Sequence, residues 1–453
     1  MILAVVVVAV LVGGGAIAVI SMNNKGGESP DIGAALPVYG NANLDAEING
    51  DDLSIIQNII DKKDGYTISA YPFADACKDG EINDKDVDVV KKIINKEETT
   101  VYHLNYYNDG AVDVKTKVAD TKWPCEDLMV TYNSIMFIMA SLGLDDKVVG
   151  ATSAGKGNYD AYMYEDMMKD VEPITVAYDA EWNGTLDTSS ISSIMTKHTK
   201  AHTVFVSGYG NYDANNESAI EALGCDVVRL CESNPTRDET LASVLLTGFL
   251  TQTMDKAKDL TKLYADIWDK CDAISKALPD SDKEKFAVMV ATPDTVSGTS
   301  NQHNYKCRIA GGASLIGAAS QNIDTWILED EYNKSLDKII LITWSNENNG
   351  HFFGDHNLKS SKLIADFTEH PMKLGDKSVW TLTDAWANKE VYYVYGDFPT
   401  AMDILARGYA MYPDYYGDLY KDSCDKLLSL ISGGKFADKG LKFVFSLSDM
   451  ESY

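Results

Sequence analysis

Residues 255–277, DKAKDLTKLYADIWDKCDAISKA, form the stretch that most limits how this chain can fold. Apolar side chains recur at Ala257, Leu260, Leu263, Tyr264, Ile267, Trp268, Cys271 and Ile274, the three-and-four spacing of one helical face. Charged residues fill the opposite face, and neither Gly nor Pro intervenes before Pro279. At about 1.5 Å per residue such a helix spans on the order of 33 Å, enough to carry the chain from one globular unit to another. Its flanks decide whether it bridges two units or lies in the core of one.

Both flanks alternate strand and helix. Upstream, residues 101–107 and 111–118 read as strands around Asn108-Asp109-Gly110, a hairpin signal. Further strands are expected at 128–131, 147–151, 203–207 and 226–230, with helical patterns over 135–142, 191–196, 219–223 and 239–252. Downstream the rhythm restarts, with strands at 285–291, 336–343 and 391–395 and helices at 313–319, 400–411 and 415–431. Such alternation builds parallel sheets with helices on both faces. The expected fold class is therefore α/β: two doubly wound α/β lobes, residues 99–254 and 284–453, joined by the one long helix at 255–277.

A chain of 453 residues with 45% hydrophobic residues has the length for two or three domains with proper cores. A formal charge of -28 argues against nucleic acid or anionic lipid as the main partner. The seven cysteines are scattered and odd in number, so most read as small core residues; Cys225 and Cys231 pair if a turn brings them together. Residues 2–20 are apolar throughout, which suits either a membrane-spanning hydrophobic helix or a secretory signal cleaved at Ala16 and Ala18. The length of the run favours an uncleaved anchor over residues 1–22, and both readings export the rest of the chain. Residues 23–37, rich in Gly, Ser and Pro, read as a tether.

Asn41, Asn43, Asp45, Glu47, Asn49 and Asp52 occupy positions 1, 3, 5, 7, 9 and 12 of a loop of the EF-hand type, and Asp75, Cys77, Asp79, Glu81, Asn83 and Asp86 repeat them 34 residues later. The helices after the two loops repeat as well: Leu53, Ile55, Ile56, Ile59 and Ile60 correspond to Val87, Val89, Val90, Ile93 and Ile94. This small all-α unit, residues 38–97, resembles the dockerin module. The resemblance implies two calcium ions and a cohesin-type partner; the module equally reads as a calcium-stapled spacer. Two residues depart from the pattern. Ala46 stands where Gly80 makes the sharp turn of the second loop, and Cys77 puts a soft thiol where a hard cation wants oxygen.

A second resemblance covers about residues 101–431. The run YNSIMFIMASLGLDDKVVGAT, the strand ALGCDVVRL, RIAGGAS, and KEVYYVYG followed by a helical pair with YPDYY are carried in an order and spacing similar to the class III substrate-binding proteins of ABC importers. Those proteins capture ferric siderophores, haem, corrinoids or related metal chelates. The resemblance implies two lobes held by one rigid crossing helix, a ligand in the cleft between them and a partner permease in the membrane. It also implies a monomer that is not an enzyme, on the outer face of the cytoplasmic membrane. Dockerin-like modules between an anchor and such lobes look archaeal. Family members dock on the permease through a surface glutamate on each lobe; Glu329 matches the second-lobe position, whereas residues 189–194 offer serines on the first.

In open α/β sheets ligands bind beyond the carboxyl ends of the strands. Those loops carry Tyr132, Asn133, Tyr209 and Tyr212 in the first lobe and His303, Tyr305 and Trp344 in the second, and these are the expected ligand contacts. His303 is also a candidate axial ligand for haem or corrinoid iron or cobalt. No GxSxG, HExxH, CxxC or phosphate-loop pattern occurs. The expected function is capture of a metal chelate for import. The alternative is a cell-surface adhesin acting through the dockerin-like module.

Overall fold

The computed structural model describes residues 33–108, 114–152, 168–179, 184–208, 214–231, 236–322, 336–343 and 358–452. Two short helices come first, α1 (Gly50–Ile60) and α2 (Asp84–Ile94). Each starts in a capping box, in which Asp52 and Asp86 accept the Asn49 and Asn83 amides at 2.8 Å. The internal repeat extends to the backbone. Leu44 and Lys78 share φ near 55° and 57°, and Lys62 and Lys96, just past the two helix ends, share 55° and 59°. Ile56 and Val90 are fully buried in one small core with Ala42, Ala74 and Ala76.

A hairpin comes next, β1 (Thr99–Asn108) and β2 (Val114–Trp123), with Thr99 opposite Trp123 and Asn108 opposite Val114. Its expected turn falls outside the described residues. The first lobe contains β3 (Leu128–Val130), α3 (Asn133–Ser141), β4 (Val148–Thr152), β5 (Glu172–Ile174), the ribbon β6 (Val176–Tyr178) and β7 (Gly184–Leu186), α4 (Thr188–Lys197), β8 (Thr203–Ser207), α5 (Glu217–Glu221) and β9 (Asp226–Leu230). Five of these strands form a parallel sheet in the order β5-β4-β3-β8-β9. The hairpin covers the β9 edge, and Asn105 acts there as a substitute peptide. Its Nδ2 donates to the Val227 carbonyl at 2.8 Å and its Oδ1 accepts the Arg229 amide at 2.9 Å. An open strand edge is thereby closed.

Two helices then run in succession, α6 (Arg237–Leu250) and α7 (Met254–Ala277). The second lobe comprises β10 (Lys285–Val290), β11 (Thr292–Val296), α8 (Gln302–Ile309), β12 (Ala313–Ser314), β13 (Gln321–Asn322), β14 (Lys338–Thr343), α9 (Ser360–Thr368), β15 (Lys373–Leu374), β16 (Lys377–Ser378), α10 (Asp384–Ala387), β17 (Val391–Tyr395), α11 (Thr400–Met411), α12 (Pro413–Leu430), β18 (Val444–Ser446) and α13 (Leu447–Ser452). Its sheet runs β13-β11-β10-β14-β17-β18, with β12 beside β10. The central strands β10, β14 and β17 are parallel, and β11 and β18 flank them antiparallel.

The bridging helix α7 packs on α6 of the first lobe and on α11 and α12 of the second. Ala257, Leu260, Tyr264, Ile267, Trp268 and Cys271 of the expected face are buried. Leu263 and Ile274 pack at its margin. One apolar core passes through this helix, joining Leu128 and Phe137 on one side to Phe286 and Ile340 on the other. A direct tie supplements it, with Phe137 edge-on to Phe398 at 5.8 Å between ring centres.

Three expectations need correction. The helix expected at 313–319 is absent: Ala313–Ser314 is a short strand, and the helix is Gln302–Ile309, read from sequence as a loop. Asn301 caps it by accepting the His303 amide at 2.8 Å, and Gly311 at φ +99° ends it. Cys225 and Cys231 are free thiols. Strand β9 lies between them, and an extended strand of that length holds its ends roughly three times too far apart for a disulfide. The expected tether is not loose at its end either, since Leu36 is fully buried. Among the described residues no helix is long and apolar enough to cross a membrane; residues 1–22 lie outside them.

Helices α6 and α7 approach closely at Gly248, where an added Cβ would lie 2.1 Å from the Ala257 Cβ. Gly248→Ala is expected to cost about 1–3 kcal/mol in urea unfolding by forcing the pair apart. An unchanged midpoint would mean that the helices do not meet there.

Candidate functional site

Three helices begin at one place between the lobes. Tyr132 and Ser134 stand at the start of α3, Gln302, His303 and Lys306 line the first turns of α8, and Gly396, Asp397 and Phe398 lead from β17 towards α11. Together these residues line a cavity between the two sheets. Tyr132, at the N-cap of α3, provides no side-chain cap, so the first-turn amides of that helix are left without an intrahelical or capping acceptor. Ser134 is 3% exposed, and its hydroxyl has no hydrogen-bond partner among the described residues.

His303 and Lys306 of the lining belong to a buried ionic network. Arg407 of α11 grips Asp403 one turn earlier through Nε at 2.7 Å and Nη2 at 2.8 Å, and Lys306 of α8 donates to the same carboxylate at 2.9 Å. Two further guanidinium contacts go to His303, from Nη1 to its carbonyl at 2.7 Å and from Nη2 to its Nδ1 at 3.0 Å. Burial pushes the Asp403 carboxyl up, but Arg407 and Lys306 outweigh it and hold it down at about 2. Burial lowers the His303 imidazole well below its ordinary value, and the two cations lower it further. The ring is therefore neutral. Because Nδ1 accepts from a guanidinium, the proton resides on Nε2, and the ring carries an N–H where a metal would need a lone pair. In that tautomer His303 offers no lone pair for axial ligation of a metal.

Of the expected contacts, Tyr132 and His303 meet at this cavity, and Asn133 begins α3 between Tyr132 and Ser134. Tyr305 is not among the cavity-lining residues; two positions along a helix turn it about 200° from His303, and the Arg308 guanidinium lies 5.1 Å from its ring centre. Tyr209, Tyr212, Trp344 and Glu329 lie outside the described residues. Lys306, Asp403 and Arg407 are not among the expected site residues. A readable signal existed for the last two, an Asp and an Arg four apart inside the apolar helix TAMDILARGYAM.

The calcium-type loops differ from each other. In the second, Asp75 at position 1 accepts the amides of Asp79 at 3.1 Å and Gly80 at 2.9 Å, and Gly80 takes φ +90°. In the first, Asn41 turns its Nδ2 to the carbonyls of Leu36 and Asp45, both at 2.8 Å. Its Oδ1 is buried without a partner among the described residues. Asp52 is fully buried, and burial pushes its carboxyl up to about 7. Burial and the neighbouring carboxylates push the Cys77 thiol up to about 11, so it is neutral and a poor ligand for a hard cation. Among the described residues no three His, Cys, Asp or Glu side chains form a metal cage by themselves.

No protein-family model and no curated protein matches the chain. Solved structures do. A TroA-like periplasmic binding protein, FepB, from Veillonella parvula aligns over 76% of this chain and 99% of its own, with a TM-score of 0.55 at 14% identity. The fold is TroA-like. Another periplasmic solute-binding protein from Veillonella parvula aligns over 74% of this chain and 95% of its own, with a TM-score of 0.50 at 16% identity. The molybdate-bound periplasmic protein MolA of a Haemophilus influenzae ABC transporter aligns over 72% and 98%, with a TM-score of 0.50 at 12% identity. In this TroA-like frame the cavity lies where the two lobes face each other.

Asp403→Ala leaves two buried cations without their carboxylate. The expected loss is about 3–5 kcal/mol in urea unfolding at neutral pH. Since folding depresses this carboxyl, its contribution is complete above the reference value of 3.8 and disappears as pH falls to about 2. The variant and the parent should therefore converge in stability towards that pH.

Proposed function

We propose that this chain is the extracytoplasmic substrate-binding protein of an ABC importer, and that its cleft captures an iron-siderophore, haem, cobalamin or a similar metal chelate. The observation that carries the reading is the cavity between two α/β lobes of TroA-like fold, lined from both by Tyr132, Ser134, His303 and Phe398. Aromatic side chains suit the face of a planar or chelated ligand, while hydroxyl, imidazole N–H and first-turn amides suit its polar edge. The cavity itself, about 40 Å³, does not hold such a ligand whole, so its lining has to part to admit one. A permease would receive the ligand from this cleft, with Glu329 as the proposed second-lobe contact. Export of the chain through its apolar N-terminal segment is part of the same proposal.

The donor-rich lining also supports a second reading, a small oxyanion, of the kind for which MolA is described as molybdate-bound. Titrating tryptophan fluorescence with haem, cobalamin, ferric siderophores and molybdate separates the two. Saturable response to a chelate alone is the expected result. Response to none of the four would remove the substrate class and leave the fold untouched.

We further propose that the two acidic loops bind calcium, through Asn41, Asn43, Asp45, Glu47, Asn49 and Asp52 in the first and Asp75, Asp79, Glu81, Asn83 and Asp86 in the second. The orphaned Asn41 Oδ1 supports the first site. Calcium would neutralise carboxylates that burial makes costly to charge. Cys77 is expected to contribute nothing, so Cys77→Asp should raise calcium affinity, as read by isothermal calorimetry. A weaker or unchanged affinity would count against the second site. A cohesin-type partner is not part of the proposal, because the module is built into the lobe and is not held out on a tether.

A further inference from the structure

We infer that the first acidic loop is the clasp between the N-terminal module and the binding lobe, so that a divalent cation there stabilises the lobe itself. This rests on the proposed calcium binding and concerns where the binding energy goes.

The joint begins with residues 36–39, which run along β1 as an added edge. Val38 bridges to His103, the Tyr39 amide donates to the Tyr102 carbonyl at 2.8 Å, and the Leu104 amide donates to the Pro37 carbonyl at 3.0 Å. Leu36 and Val38 are fully buried in the core that contains Val101, Trp123, Leu260 and Tyr264. This segment is therefore a plug in the lobe, and its position is set by the first loop. The Leu36 amide donates to the Asp45 carbonyl at 2.8 Å, and Asn41 Nδ2 binds the Leu36 and Asp45 carbonyls together.

The Asn41 amide thus has two ends with different tasks. Nδ2 holds the plug, while Oδ1 is buried with nothing to accept. A cation on Oδ1 would polarise the amide, strengthen both Nδ2 bonds and fix the rotamer that makes them. A second polar tie leads from the same loop to the bridging helix, where Lys258 of α7 pairs with Glu47 at position 7. Position 7 of such loops offers its main-chain carbonyl to the metal, so this side chain is available for the tie. The second loop is arranged otherwise. Its carboxylates bond within the module, Asp75 to Asp79 and Gly80, and Asp79 to Lys85 at 3.1 Å. This half meets the lobe through apolar contacts, Ile93 of α2 in the core with Val101 and Trp123 and Phe73 beside Leu104 and Tyr106. Phe73 and Lys78 also stack on Tyr39 at 4.5 Å and 4.2 Å, and none of these contacts needs a metal.

The test compares the full-length protein with Asp45→Asn and Asp79→Asn, matched changes at position 5 of each loop that keep side-chain size. Calcium binding is first read by equilibrium dialysis. Hydrogen exchange is then followed in peptides covering residues 99–108 and 254–277, with calcium and with chelator. The expected result is that chelation speeds exchange in both peptides at least several-fold. Asp45→Asn in saturating calcium should reproduce most of that loss, and Asp79→Asn little of it. Chelation effects confined to residues 41–96, or equal effects of the two variants, would overturn the clasp while leaving calcium binding in place. No bound calcium in dialysis would overturn both. Because both variants are also compared with the parent in chelator, a folding defect unrelated to metal shows itself as a difference there.

Discussion

The two-lobe unit depends on the one apolar stripe of α7, because Leu260, Tyr264, Ile267 and Trp268 join a single core to which both sheets contribute. The lobes share apolar contacts along the helix and again at Phe137 and Phe398. Relative motion of the lobes would have to break packed surface, since the crossing element is itself a helix buried between them. Packed apolar surface accordingly holds the two lobes in one arrangement.

Within that frame the Asp403–Arg407–Lys306 network links the fold to the chemistry of the cleft. Arg407 belongs to a helix packed on α7, and the residues it steers belong to α8, whose first turns line the cavity. Burying two cations against one carboxylate is tolerable only with near-complete hydrogen bonding, and the five contacts of Asp403 and His303 supply it. The consequence reaches the ligand side as a tautomer: His303 stays neutral with its proton on Nε2. A residue that looks like a metal ligand from its type is thereby turned into a donor by its neighbour.

The regular elements were readable wherever a local pattern was strong. The bridging helix began within one residue of expectation, and β8, β9, β17 and α11 matched to the residue. Helix α8 was not readable in this way. QHNYKCRI has little amphipathic contrast, and its helix is held by an Asn301 cap and by packing on α11, so periodicity alone passed over it. Read as a loop, the stretch puts Tyr305 beside His303 in the expected site, whereas on one helix the two side chains stand about 200° apart.

The pairing of strand and helix, the doubled acidic loop and the single crossing helix were determined by the sequence itself. They are encoded by neighbours within a few turns or by a repeat 34 residues apart. Long-range geometry decided the rest. Only folding brings Lys306 within 2.9 Å of Asp403, 97 residues away. It also buries the Asn41 amide, with Nδ2 on the Leu36 carbonyl and Oδ1 without a partner among the described residues. Such polar contacts have no periodicity, because burial sets the cost of leaving each group unpaired and the tertiary fold alone decides which groups are buried.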